Sequence, residues 1–147
     1  MILISGLGNP GTEFNNTRHN FGFDIVDSIH QEFGFGSFSK KFNSLYATKK
    51  ILKKTIILQK PLSYVNLSGD QVKKFLNFFK INKSNIIVFQ DDLDIQFSKI
   101  KIKFDGGHGG HNGIRNIIEK IGNDFCRIKL GIKNLNYLEN NISAEKF

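Results

Sequence analysis

The chain has 147 residues, enough for one domain with its own buried core and few for two. Its single cysteine, Cys126, excludes an internal disulfide and a thiolate zinc cluster, and no apolar run approaches the roughly 20 residues needed to span a bilayer. The formal net charge of +8 at pH 7 favours a polyanionic partner, nucleic acid above all, although the excess is carried by lysine and an AT-rich genome also enriches Asn, Ile and Phe. The chain enters Met1-Ile2-Leu3-Ile4 with no basic leader, so a soluble, cytoplasmic protein is expected.

Met1 to Leu7 reads as a short buried strand, a continuous apolar run bounded by glycine. After a loop from Gly6 to Asn20, Ile25, Val26, Ile29 and Phe33 recur at helical spacing, which predicts a helix over about Phe21 to Phe33 with Gly34 as its stop. Gly34 to Lys41 is turn-like. Leu45 to Ile51 and Thr55 to Gln59 read as a hairpin joined by Leu52-Lys53-Lys54, with Pro61 cutting off further pairing. Ser68 to Phe79 sets Val72, Phe75, Leu76 and Phe79 on one face and Lys73, Lys74 and Asn77 on the other, an amphipathic helix. Ile86 to Phe89 is a buried strand ending in Gln90-Asp91-Asp92-Leu93-Asp94. Lys99 to Phe104 alternates lysine with apolar residues, as an exposed strand does. Asp105 to Gly113 is a glycine-rich loop, Ile114 to Ile121 a short helix ended by Gly122, and Cys126 to Ile132 a last strand. From Lys133 onward the chain is polar and weakly patterned. Strands alternating with helices, plus one hairpin, predict an α/β class: a single-domain three-layer α/β/α arrangement with a twisted mixed sheet flanked by helices.

The stretch Gly6 to Asn20 is longer than the two to six residues such a connection ordinarily needs, and it carries Asn9, Arg18, His19 and Asn20, which points to a site. Its Gly6-Leu-Gly8-Asn-Pro-Gly11 matches the G-x-G-x-x-G dinucleotide pattern after a strand. The match is poor, because Pro10 and the polar run delay the helix whose N-terminus would take the pyrophosphate, and Asp24 and Asp27 fall inside that helix. His19 is the candidate general base, since imidazole exchanges protons near pH 7 when a carboxylate holds its tautomer. Asp91, just past a strand's carboxyl end, could do so if the strands around residues 4 and 88 are parallel neighbours. Asp91, Asp92 and Asp94 could instead bind Mg²⁺, though no phosphate-binding loop accompanies them. His108 and His111 lie among glycines without further metal ligands nearby. The five glycines of Gly106 to Gly113 let backbone N–H groups approach a ligand closely, and Asn112 stands where a helix N-cap is also expected. Asn66, after Pro61, has no evident structural task.

The motifs GLGNPG, TRHN, KPLSYVNLSG, QDDLD and GGHGGHNG stand in that order, and together they resemble the bacterial-type peptidyl-tRNA hydrolase family over nearly the whole chain. The resemblance implies a monomeric, cytosolic α/β enzyme with no metal, no cofactor, no membrane and no obligate protein partner. Such an enzyme cleaves the ester between a peptide and the 3′ end of tRNA. By resemblance His19 is the general base and Asp91 its supporting carboxylate. Asn9 would tell blocked from free-amino substrates, and Asn66 and Asn112 would hold the peptide and terminal adenosine. Phe14 and Tyr64 would contact the acceptor end, and Lys103 and Lys129 would grip the terminal phosphate region. Two other readings are a tRNA-acceptor binding protein that has lost catalysis and a Mg²⁺-dependent phosphohydrolase using Asp91, Asp92 and Asp94. The sequence departs from the family at Phe14 (tyrosine is usual), Val65 (methionine), Gln96-Phe97-Ser98 (a Pro and Gly turn), and Asp105 and Lys133 (glycine). Residues 1–147 are expected to form one such domain whose C-terminal part is shortened.

Overall fold

The apolar run of β1 (Ile2–Gly6) serves two layers, because alternate side chains of a strand leave opposite faces. In the computed structural model, which describes residues 1–8, 20–63 and 67–133, Leu3 enters one buried cluster and Ile4 packs against another. The first cluster joins Leu3, Ile57 and Val88 to Val72, Phe75, Ile114 and Ile117, which belong to α2 (Ser68–Phe78) and α3 (Asn112–Ile121). The second gathers Val26 of α1 (Phe21–Glu32) with Phe35, Ala47 and Leu58. Helices therefore cover both faces of the sheet, as the alternation predicts. Fully burying a side chain such as Phe75 contributes about 1.5–3 kcal/mol, so these two clusters dominate the stability.

The other strands are β2 (Ser39–Lys41), β3 (Ser44–Ile51), β4 (Lys54–Pro61), β5 (Ile86–Gln96), β6 (Ile100–Lys103) and β7 (Cys126–Lys133). They form one mixed sheet in the order β2-β3-β4-β1-β5-β7-β6. β4, β1, β5 and β7 are parallel, and the antiparallel pairs are β2–β3, β3–β4 and β6–β7. The expected neighbours at residues 4 and 88 are parallel, with Ile4 opposite Ile87 and Ser5 opposite Val88.

Three expectations need correction. Gly34 to Lys41 is not all turn: Ser39–Lys41 pairs with β3 across the two-residue turn Phe42-Asn43, both residues at positive φ. The strand expected to end at Gln59 runs two residues further, and Pro61, its last residue and opposite Ser44, is where the pairing stops as expected. The strand at Ile86 runs on to Gln96, because β7 keeps pairing with it after β1 has ended, through Asp91 opposite Leu130 and Asp92 opposite Gly131.

The β3–β4 turn is Leu52-Lys53, with φ of 48° and 69°. Positive φ at both central residues is the geometry that Asn-Gly favours and that Leu and Lys resist, and Leu52 is 93% exposed there. L52N/K53G is expected to raise stability by about 1 kcal/mol in urea unfolding.

Glycine at positions 6 and 22 sets how closely β1 meets α1. A Cβ on Gly22 would lie 2.4 Å from both Leu7 N and Leu7 O, and one on Gly6 would lie 2.2 Å from Gly22 O. The first glycine of the sequence Gly-Leu-Gly-Asn-Pro-Gly thus lets helix and strand touch.

Candidate functional site

β5 outlasts β1, whose final paired residue, Gly6, lies opposite Phe89. Asp91, two residues further on, is therefore at the carboxyl rim of the sheet, within the strand rather than past its end as expected. It is only 5% exposed, and a buried carboxylate needs donors. His111 provides one: its Nε2 lies 3.2 Å from Asp91 Oδ1. The ring's other nitrogen, Nδ1, accepts from Ile114 N at 3.2 Å, so a neutral His111 carries its proton on Nε2 and donates it to Asp91.

That second contact makes His111 the N-cap of α3, a role the sequence had suggested for Asn112. Asn112 is instead the first helical residue, exposed beside a polar hollow of about 360 Å³ that it shares with Arg115, Asn116 and Glu119. Asn116 Oδ1 accepts from Gly69 N at 2.7 Å, which fixes α3 against the start of α2, a helix that opens two residues after Asn66 in sequence. Asn9, Phe14, His19, Tyr64 and Asn66 lie outside the described residues.

Asp92 and Asp94 do not join Asp91. Asp92 Oδ2 lies 3.5 Å from Lys129 Nζ, and its Oδ1 accepts from Asp94 N at 2.7 Å. Among the described residues no three His, Cys, Asp or Glu side chains are arranged to hold a metal ion. His108 is engaged within its own loop, where Nδ1 accepts from Gly110 N at 3.0 Å. Burial pushes the Cys126 thiol up, away from the thiolate a nucleophile needs.

Lys129 is 8% exposed, so the expected phosphate contact meets solvent only narrowly. Lys103 is half-buried, and a Cβ on Gly106 would lie 2.9 Å from its Nζ. In the β6–β7 ladder Lys101 faces Lys129 and Lys103 faces Arg127. Like charges directly opposite are destabilising, and an anion against the exposed Lys101 and the half-buried Lys103 would relieve the repulsion. Sequence reasoning missed the link from His111 to Asp91 and the burial of Arg127. Histidine is an uncommon cap, and an arginine in a basic chain reads as surface.

A parallel α/β core with a histidine-bound carboxylate at its carboxyl rim, next to a glycine-rich loop and a cationic edge, defines an α/β enzyme for an anionic substrate. The family model described as peptidyl-tRNA hydrolase matches residues 3–144. The peptidyl-tRNA hydrolase of Clostridium novyi (strain NT) is 47% identical over 133 residues, covering 90% of this chain and 71% of the relative. That of Bartonella henselae is 46% identical over 132 residues, covering 90% and 68%. The crystal structure of peptidyl-tRNA hydrolase from Acinetobacter baumannii superposes with a TM-score of 0.86 at 38% identity, over 90% of this chain and 68% of that one. The chain belongs to the peptidyl-tRNA hydrolase family.

Proposed function

We propose that this chain hydrolyses the ester joining a peptide to the 3′-terminal ribose of tRNA, with His19 as general base and Asp91 as the carboxylate that supports it. His19 takes a proton from water as the water oxygen attacks the ester carbonyl carbon. The tetrahedral intermediate then collapses, and the departing ribose oxygen recovers the proton from His19. Because the ester is already activated, positioning plus a general base and donors to the oxyanion suffice, and no covalent intermediate is needed. Asn9 distinguishes blocked amino groups, Asn66 and Asn112 hold the peptide and terminal adenosine, and Phe14 and Tyr64 contact the acceptor end. Lys103 and Lys129 bind phosphate, Lys129 exchanging Asp92 for it. The enzyme works as a cytoplasmic monomer, residues 1–147 forming one domain. Among the described residues no helix is long and apolar enough to cross a membrane.

The observation that supports this mechanism best is the Asp91–His111 pair, which sets a buried carboxylate at the carboxyl rim of the sheet. Release of peptide from N-blocked aminoacyl-tRNA tests the reading directly. Turnover is expected, and EDTA should leave it unchanged; inhibition by EDTA would favour the Mg²⁺-dependent phosphohydrolase. Binding without turnover would favour the tRNA-acceptor binding protein. Affinity for tRNA should fall steeply with salt, and Lys103→Ala should reduce the slope of log K against log salt by about 0.7–0.9, the release of one counterion. An unchanged slope would remove Lys103 from the phosphate contacts.

A further inference from the structure

Arg127 is wholly buried in β7, yet among the described residues no carboxylate forms an ion pair with it. Its guanidinium is satisfied by main-chain oxygens. Nη1 donates to Gly107 O at 2.6 Å, and Nη2 donates to Gly106 O at 2.8 Å and Asn123 O at 2.9 Å. The plane lies over Phe125, 4.6 Å from the ring centroid, and among the described residues Nε has no hydrogen-bond partner. Asp105 attracts the guanidinium from a distance, but burial outweighs that attraction. A buried cation with no ion-paired carboxylate is costly, and an apolar side chain of similar volume would often be at least as stable. Stability alone is therefore a weak reason for arginine here.

What the fork does is geometric. Gly106 and Gly107 begin the loop that ends at His111 and Asn112, while Asn123 lies in the turn after α3. One side chain thus ties the chain entering α3 to the chain leaving it. The loop resists ordering: Gly106, Gly109 and Gly110 sit at φ of 99°, 59° and 83°, and glycine loses more backbone freedom on folding than any other residue. The contacts within it are short-range, Gly110 N to His108 Nδ1 and His111 N to His108 O.

We propose that Arg127 is a positioning residue for the hydrolysis, its guanidinium fork clamping the Gly106–Gly107 carbonyls so that His111 meets Asp91 and Asn112 meets the substrate. The proposal rests on the hydrolase reading above. Arg127 touches neither water nor substrate; it acts through the loop.

Arg127→Met and Arg127→Lys test it, with thermal melting, kcat and KM on N-blocked aminoacyl-tRNA, and amide hydrogen exchange. Methionine removes the fork and the buried charge, so the variant should still melt cooperatively. Its kcat should fall about 100-fold with KM changed less than about threefold, the size expected when a site loses alignment. Exchange at residues 107–110 should quicken about tenfold or more while β1 and α1 keep wild-type protection. Lysine keeps the charge without the fork and should fall between. Combined with His111→Ala, the methionine change should cost little more than His111→Ala alone, since both act through one loop. A folded methionine variant with wild-type kcat overturns the proposal, as does exchange that quickens equally throughout the chain. If methionine prevents folding, lysine decides by the same criteria; failure of both to fold makes Arg127 structural and ends the proposal. Absence of turnover in the wild-type protein would defeat the hydrolase reading, while loop exchange in the variants would still judge the clamp.

Discussion

His19→Ala is expected to lower kcat for peptide release by about 10²–10⁴-fold, the usual contribution of a general base, while tRNA affinity stays within about twofold. Binding is expected to survive because the phosphate contacts assigned to Lys103 and Lys129 do not pass through the imidazole. Asp91→Asn should reproduce much of the loss, since the amide cannot stabilise an imidazolium as a carboxylate does. It should also unsettle His111, whose Nε2 proton would lose its charged acceptor 3.2 Å away. Pre-steady-state peptide release, with tRNA affinity measured in parallel by fluorescence titration, separates chemistry from binding. Normal turnover in His19→Ala would remove histidine from the mechanism.

Gly22→Ala is expected to destabilise the protein by about 3 kcal/mol or more, at or beyond the upper end for overpacking, because the new methyl meets only backbone. The methyl would sit 2.4 Å from Leu7 N and O, atoms that cannot move aside as a flexible side chain would. For a chain of this length the melting temperature should fall by roughly 10 °C. Gly36 is the control, since a Cβ there meets nothing within 4 Å and Gly36→Ala should change little. Equal melting of the two variants would show that β1 and α1 can separate at no cost.

These two results bear on one junction. The chain leaving β1 reaches α1 through the stretch that contains Asn9 and His19, and Asn20, next after His19, is buried where α1 begins. The contact of Gly6 with Gly22 sets where that stretch starts and ends. A substitution there should therefore reduce kcat as well as stability.

Most of the elements are legible in the sequence because their patterns are local. The 3.6-residue spacing of Val72, Phe75 and Leu76, the apolar runs of β1 and β5, and the lysine alternation before Phe104 each need only a few neighbours to be read. Even the exposure of the edge followed, with Ile100 at 66% and Phe104 at 71%. Ser39–Lys41 was illegible because three polar residues carry no period; they become a strand only because β3 offers them partners across the Phe42-Asn43 turn. The length of β5 was illegible for the same reason, since Asp91 and Asp92 belong to it through pairing with Leu130 and Gly131 of β7.

The site divides along the same line. Motif order alone placed the chain in its family and selected Asp91 and Asn112, since residue type and spacing are properties of the chain. Only the tertiary structure gave Asp91 to His111 and Lys129 to Asp92, and buried Arg127 beneath the glycine loop. Those assignments join residues 20 or more positions apart, with Asp91 meeting His111 and Arg127 meeting Gly106 and Gly107. Which donor reaches a buried acceptor depends on sheet order and on where each strand stops, and neither is written in any local stretch.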